Sequence, residues 1–431
     1  MKKTGSRWIK GFILLMALVA GIGFVAGDAY ATNGYFAHGY SIESKALGGA
    51  GVALPQGSLD ASVNPALMAF VGTRADISLS IFNPNREYTV KGTPSGLGFG
   101  LDPGTVKSDS KYFLVPAMGV NWDFYKTSFG ISIFGNGGMN TDYDKKTYDD
   151  PRVNVSKPTG VDLMQLFIMP TLAVKVAPKH SIGVSPIIAY QSFEATGLQA
   201  FGSSSSNPKN LTNNGHNSSY GFGARIGYYG ELTPYLSVGA SYQTKIWTSR
   251  LDKYAGLFAG QGNFDIPANW TIGIAVKPIP ELAFLFDVQK IYYSDVKSVN
   301  NRLIPGKTLF PGALGQDGGA GFGWNDMTVY KAGVQWKSSE DWTWRAGYSI
   351  SKQPIPRTEM MFNILAPGVI EQHATAGFTK AISKTQNLSF SLMHAFSHSI
   401  TGSNALEIPG QQKITLKMSQ WEATLGYTWK F

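Results

Sequence analysis

Gln420-Trp421-Glu422-Ala423-Thr424-Leu425-Gly426-Tyr427-Thr428-Trp429-Lys430-Phe431 alternates without a break between apolar and polar side chains. Side chains of a strand repeat with period two, so Trp421, Ala423, Leu425, Tyr427, Trp429 and Phe431 share one face. Gln420, Glu422, Thr424, Gly426, Thr428 and Lys430 share the other. One greasy face bearing aromatics, one wet face and a final Phe are what a β-barrel strand of a bacterial outer membrane displays, with the polar face turned to the lumen.

The same pattern recurs upstream. Ile77, Leu79 and Ile81 alternate with Asp76, Ser78 and Ser80, and Phe129, Ile131 and Ile133 with Ser128, Gly130 and Ser132. Trp270, Ile272, Ile274 and Val276 form another such face; Leu282, Phe284, Phe286 and Val288 enclose Asp287, and Trp342, Trp344, Ala346, Tyr348 and Ile350 enclose Arg345. Further segments lie near 112–124, 161–176, 181–194, 219–230, 235–248, 327–337, 370–381, 387–399 and 413–431. Each is about 10 residues or longer, the length a tilted strand needs to cross a bilayer. The expectation is an all-β, 14-stranded antiparallel transmembrane β-barrel, the even number that single-chain bacterial barrels have. Short connectors (124–127, 178–180, 231–234, 278–281, 338–341, 383–387) alternate with long ones (84–110, 139–160, 197–218, 249–266, 295–325, 352–369, 400–412). Short periplasmic turns and long outer loops produce this rhythm.

Composition fits a chain that averages a lipid face with a polar one. Charged residues make up only 15% of the 431, against about a quarter in soluble domains, and aromatics 13%. Lys2, Lys3, Arg7 and Lys10 precede the uncharged stretch 11–27, and Ala29-Tyr30-Ala31 has the form of a cleavage site. Residues 1–31 therefore read as a signal peptide. Without its four cations and Asp28 the net charge falls from +9 to +6, with 33 Lys+Arg against 27 Asp+Glu. No Lys/Arg block has the density of a nucleic-acid footprint. The absence of Cys excludes disulfides and a lipoprotein anchor.

Residues 32–74, ahead of the first strand, break the pattern. They are rich in Gly and Ala, yet carry Tyr35, Phe36, Leu47, Val52, Leu54, Leu67, Met68 and Phe70, too many apolar groups for a free tail. The expected division is a signal peptide (1–31), an N-terminal plug inside the lumen (32–74) and the barrel (75–431). Thr32-Asn33-Gly34-Tyr35-Phe36-Ala37-His38-Gly39, then Ser44-Lys45-Ala46-Leu47-Gly48-Gly49-Ala50-Gly51, then Asp60-Ala61-Ser62-Val63-Asn64-Pro65-Ala66 resemble the plug, or hatch, of the FadL/TodX (OmpP1) family. These are outer-membrane channels for long-chain fatty acids and hydrocarbons. Gly135-Asn136-Gly137-Gly138-Met139-Asn140 in the third strand resembles the family too.

The resemblance implies passive uptake of hydrophobic compounds, long-chain fatty acids first and aromatic or aliphatic hydrocarbons second, with a lateral exit through the wall. The residues supply reasons. An apolar solute gains about 0.8 kcal/mol per buried CH₂ and needs a dry route, and glycines inside a strand mark a bulge or kink with lost pairing. Gly135, Asn136, Gly137 and Gly138 are therefore the expected exit. Thr32, Asn33, Gly34, Tyr35 and Phe36, together with Asn64, Pro65 and Ala66, are the expected inner pocket and plug. Asn64 also reads as a helix cap with Pro65 at the first helical position. Apolar residues of two outer loops, among them Leu198, Phe201, Leu257 and Phe258, are the expected collecting groove. Lumen-facing Arg225, Lys245, Asp287, Arg345 and Glu422 read as ion pairs that stabilise the wall.

No nucleophile elbow, HExxH or phosphate loop is present. His394 and His398 sit in a strand, roughly 13 Å apart by strand rise, too far for one metal. No catalytic residue, metal or cofactor is expected. Expected partners are the hydrophobic solutes, outer-membrane lipid and lipopolysaccharide, and the barrel-assembly machinery through Phe431, with no nucleic acid and a monomeric channel. A Gram-negative outer membrane is the expected location. A general porin and an adhesion barrel are the alternatives.

Overall fold

The computed structural model describes residues 33–431; the signal peptide read over 1–31, and Thr32, lie outside the described residues. Fourteen long strands make the wall: β1 Arg74–Lys91, β2 Phe113–Asp123, β3 Thr127–Asp142, β4 Gly160–Ala177, β5 His180–Thr196, β6 Asn217–Thr233 and β7 Leu236–Gln243. They continue as β8 Asn269–Ile279, β9 Leu282–Ile291, β10 Met327–Lys337, β11 Trp342–Ser351, β12 Gln372–Ser383, β13 Gln386–Ser403 and β14 Lys413–Lys430. Each pairs antiparallel with its neighbours in sequence. The barrel closes by pairing β1 with β14, from Arg74↔Lys430 to Lys91↔Lys413.

Alternation decides which way each side chain points. On β14, Glu422, Thr424 and Thr428 are buried in the lumen, whereas Trp421 and Leu425 are 47% and 57% exposed. Ile77, Leu79 and Ile81 are exposed beside them on β1. A continuous apolar outer surface of this kind is covered by lipid. A wide depression of about 740 Å³ around Leu172, Ile182, Val184, Ile226 and Ile272 belongs to the same lipid face.

Two strands differ most from the sequence expectation. β1 continues to Lys91, because β14 and the short ribbon Gly104–Lys107 flank it beyond the membrane. β7 ends at Gln243, where its last rung with Asn269 of β8 is made. Beyond it Lys245 pairs with Asp265 at 2.8 Å, and Trp247–Thr248 turns back onto Phe222 and Gly221 of β6.

Residues 33–73 run across the inside of the barrel, almost wholly buried. They include one short helix, α1 (Ile42–Ala46), capped by the Ser41 hydroxyl, and 3₁₀ turns at Asp60–Ser62 and Pro65–Phe70. The segment lies against the wall backbone where the wall carries glycine. A Cβ on Gly239 would come 2.0 Å from Val52 O, and one on Gly347 would come 2.0 Å from Leu47 C.

Candidate functional site

The ladder between β2 and β3 stops early. Its last rung toward the outside is Ala117↔Phe134. The next β2 residue is Pro116, which has no N–H to give. β3 runs on to Asp142 beside β4, with a bulge between Gly135 and Gly137. Pairing on the β2 side resumes only at Ser108↔Tyr143, where Asp109 N donates to Asp142 O at 2.7 Å. Residues 135–141 of β3 therefore form a gap in the wall that β2 leaves unpaired.

The start of the described chain fills it. Phe36 bridges Gly137, with Ala37 N donating to Asn136 O at 3.0 Å and Gly138 N to Tyr35 O at 2.9 Å. Gly137 must be glycine for this, since a Cβ there would lie 1.8 Å from Tyr35 O. Tyr293 holds the same residues from above, its hydroxyl accepting from Tyr35 N at 3.2 Å and donating to Asn33 O. Gly34 has φ +66 and faces the Tyr293 ring, which excludes a side chain. The Tyr35 ring packs among Phe36, Phe264, Tyr293 and Trp324 at centroid distances of 5.2 to 6.1 Å.

Around the gap the lumen is apolar. Tyr40 and Phe134 pack tilted, Phe134 meets Phe167 edge-on, and Phe82 lies beside Phe113. Arg86 crosses this collar. Its two terminal nitrogens donate to Asn140 O on β3 and Ser110 O, and its guanidinium lies 5.6 Å from the Phe113 ring centroid. Arg86 is buried, its Nε has no partner, and none of the ion pairs among the described residues includes it. By contrast Lys45 meets Glu422 at 2.5 Å, and Arg74 meets Asp76 at 2.6 Å. A buried guanidinium with carbonyl partners alone can take a carboxylate in a short, charge-assisted hydrogen bond.

Asn64, Pro65 and Ala66 lie elsewhere, toward the periplasmic side. The Asn64 side chain accepts from Ala66 N at 3.1 Å, capping the turn that Pro65 opens. It also donates to Val52 O at 2.8 Å and Tyr228 O at 2.9 Å, fastening the turn to β6. Gly227 makes room, as a Cβ there would lie 2.0 Å from Asn64 Oδ1. Among the expected site residues, Asn33 to Phe36 and Gly135 to Gly138 thus meet, and Asn64 to Ala66 do not join them.

Leu198, Phe201, Leu257 and Phe258 come together from two outer loops, joined by Phe193, Phe322, Phe362 and Leu365. The space between them is about 30 Å³, room for a single water. These side chains belong to the same contiguous apolar cluster as Phe36 and Phe134, so greasy contacts run from the loops to the gap.

Of the five charged lumen residues, only Lys245 makes a wall-to-loop ion pair as a strand neighbour would, with Asp265. The other four hold the N-terminal segment. Asp287 accepts from Gly51 N at 2.8 Å and Val52 N at 3.0 Å, Arg225 donates to Val63 O at 3.0 Å, Arg345 to Gln56 Oε1 at 3.1 Å, and Glu422 pairs with Lys45. Within the segment, burial raises the Asp60 carboxyl to about 7, although Gly57 N and Gln56 N donate to it. Burial first, then the charges of Lys45 and Lys331, lower the His38 imidazole to about 3.

His394 sits half-buried on the outer face, its Nδ1 3.2 Å from Gln420 O and its ring 4.0 Å from that of Trp421. His398 has separate partners beyond a bulge, Val369 O and Glu371. Among the described residues no group of His, Asp and Glu has the geometry of a metal site. Sequence reasoning missed Arg86, Tyr293 and Trp324. The Pro in Phe113-Leu114-Val115-Pro116 is the signal that could have revealed the short β2–β3 ladder, since Pro within a run marks an edge.

The model of the family described as outer membrane protein transport protein (OMPP1/FadL/TodX) matches residues 22–431. The Pseudomonas putida toluene transporter TodX superposes with TM-score 0.66 at 18% identity, covering 91% of this chain and 99% of that one. A Pseudomonas aeruginosa FadL homologue gives 0.68 at 16% identity over 92% and 100%, and the Ralstonia pickettii toluene transporter TbuX gives 0.61 at 19% over 91% and 99%. No curated protein matches. At these identities the superpositions speak for the fold alone, a 14-stranded antiparallel barrel. The family match goes further: the chain belongs to the outer membrane protein transport family (OMPP1/FadL/TodX), non-enzymatic channels for hydrophobic compounds.

Proposed function

We propose that this channel carries long-chain fatty acids passively from the outer loops to the gap between β2 and β3, and releases them sideways into the bilayer. The N-terminal segment acts as the plug that denies the solute a route down the lumen. One observation carries the reading: Asn136 and Gly138 give their backbone bonds to Ala37 and Tyr35 instead of to β2. A wall closed by so few removable bonds can open without unfolding. Arg86 favours an acid over a plain hydrocarbon, because the collar otherwise offers an apolar chain nothing that a carboxylate would select.

The test is uptake of labelled oleate and labelled toluene by cells lacking their own channel. Three proteins are compared: the native chain, a variant with residues 135–138 rebuilt as regular Val/Thr strand, and Arg86→Met. Oleate uptake by the native chain that is lost in the straightened strand and reduced at least tenfold in Arg86→Met supports the proposal. Equal uptake by all three sinks the exit. A second reading, hydrocarbon uptake, draws on the aromatic packing of Tyr35, Phe264, Tyr293 and Trp324, and on the toluene named for TodX and TbuX. Toluene uptake without oleate uptake would select it.

A further inference from the structure

On the outer face of β14, Trp421 closes the apolar belt; Ser419, Lys417, Thr415 and Lys413 follow it outward. Lys417 is four residues beyond Trp421, roughly 13 Å along the strand and about 10 Å further from the membrane centre at the usual tilt. That is the depth of lipid head groups. Lys107, Lys111 and Lys417 surround a polar depression of about 190 Å³ there, with Asn85, Ser108 and Ser419. Its acidic member is Glu87, 3.0 Å from Lys417 Nζ. Asp109 does not line the depression, and its backbone N–H bonds Asp142 O on β3.

One rung pattern makes the patch more than a solvated face. Lys91 and Lys413 are directly opposed in the β1–β14 register, and both are exposed. Like charges placed directly opposite each other destabilise a strand pair. An anion held beside them reverses that sign. Three lysines and Glu87 around the depression, with Lys91 and Lys413 opposed roughly 13 Å further out on the same strands, match a membrane lipid that carries several phosphates on a sugar head group.

We infer that this patch is a docking site for the phosphorylated glycolipid of the outer leaflet, lipopolysaccharide, with a phosphate seated among Lys107, Lys111 and Lys417. The site adjoins the wall gap. The segment that carries Lys107 and Lys111 also supplies Ser108 and Asp109, which pair with Tyr143 and Asp142 above the gap, and Ser110, whose carbonyl takes Arg86. A head group bound there braces the upper edge of the opening.

The experiment titrates bisphosphorylated lipid A into the folded channel in detergent micelles and counts bound lipid by native mass spectrometry. Its arms are the native chain, Lys107→Gln/Lys111→Gln/Lys417→Gln, and a control with Lys126→Gln/Lys384→Gln in periplasmic turns. The expected result is binding by the native and control proteins, at least tenfold weaker in the triple variant. Dephosphorylated lipid A on the native protein should bind as weakly as that, which tests the proposal even if the triple variant does not fold. Equal binding of the phosphorylated and dephosphorylated lipids overturns it. Displacement of the lipid by equimolar inorganic phosphate, or equal binding of phosphatidylglycerol, also overturns it, the first showing a free-phosphate site and the second a nonspecific basic face.

Discussion

Gly137 shows how narrow the fit at the gap is, since the hydrogen it carries in place of a side chain faces the Tyr35 carbonyl. Gly137→Ala should push residues 35–37 off β3. The expected result is faster amide exchange at Tyr35 and Ala37 and a loss of about 1–3 kcal/mol, the usual range for overpacking, read from a denaturation midpoint. If exchange at Tyr35 and Ala37 stays native, the close approach is not real. Titration offers a second residue-scale test. Asp60 has its pKa raised, so the folded segment binds its proton more tightly than the unfolded chain does. Its stabilising effect is complete below the ordinary carboxylate pKa and is lost as pH climbs through about 7. His38, lowered to about 3, acts oppositely: the fold favours neutral imidazole, and that effect is lost as pH falls below the ordinary histidine value. Glu43 and Arg74 also face Asp60, so the clean measurement is a difference. Protease protection of residues 55–62 in the native chain should decline between pH 5 and 8 relative to Asp60→Asn, and a constant ratio would refute the assignment.

Among elements, the N-terminal segment and β3 show where sequence reasoning succeeds and where it stops. Strand alternation is local, so all fourteen strands could be read from pattern and length, and β14 shows it plainly: lumen-facing Glu422 and lipid-facing Trp421 are neighbours in the chain. The Gly-Asn-Gly-Gly run of β3 was legible as a weak ladder because glycine weakens strands wherever it sits. Its filling by Tyr35 and Ala37 was not, since that contact spans about a hundred residues and depends on where β2 ends. The roles of Asp287, Arg225 and Arg345 were hidden for the same reason. Their sequence neighbours belong to the wall, whereas their hydrogen bonds reach Gly51, Val52, Val63 and Gln56 of the segment inside it, besides the wall residues Gln243, Gln335 and Thr379 that Arg225 and Arg345 also meet. Asn64 was legible as a cap but not as a fastener. Asn64→Ala removes the cap, worth about 1 kcal/mol, and also strips Val52 O and Tyr228 O of a donor, each loss adding about 1 kcal/mol. A destabilisation of about 2–3 kcal/mol by urea titration is expected; a cost no larger than the cap alone would show that the link to β6 is idle.

Across the molecule, the seating of the segment limits what can move. From Lys45 to Ala66 the segment rests on wall glycines, with charged side chains from β6, β9, β11 and β14 holding it. Shifting that body would strip several buried charges of their partners at once, and breaking one buried ion pair alone costs about 3–5 kcal/mol. Residues 33–37 are held differently, by Tyr293, two backbone bonds to β3 and the aromatic packing around Tyr35. Opening the gap therefore calls for release of these few residues while the rest stays seated. A covalent lock tests this. Ala37 and Asn136 are antiparallel partners in the Phe36↔Gly137 register, a geometry that sets Cα atoms about 5.5 Å apart and within disulfide range. The chain has no native Cys, so Ala37→Cys/Asn136→Cys gives a single defined bridge. Oxidised, it should abolish uptake of the channel's solute; reduced, it should recover at least half of the rate of the Ala37→Ser/Asn136→Ser control. Native uptake through the oxidised form would mean that the solute never passes this point, and the route would have to be sought elsewhere in the wall.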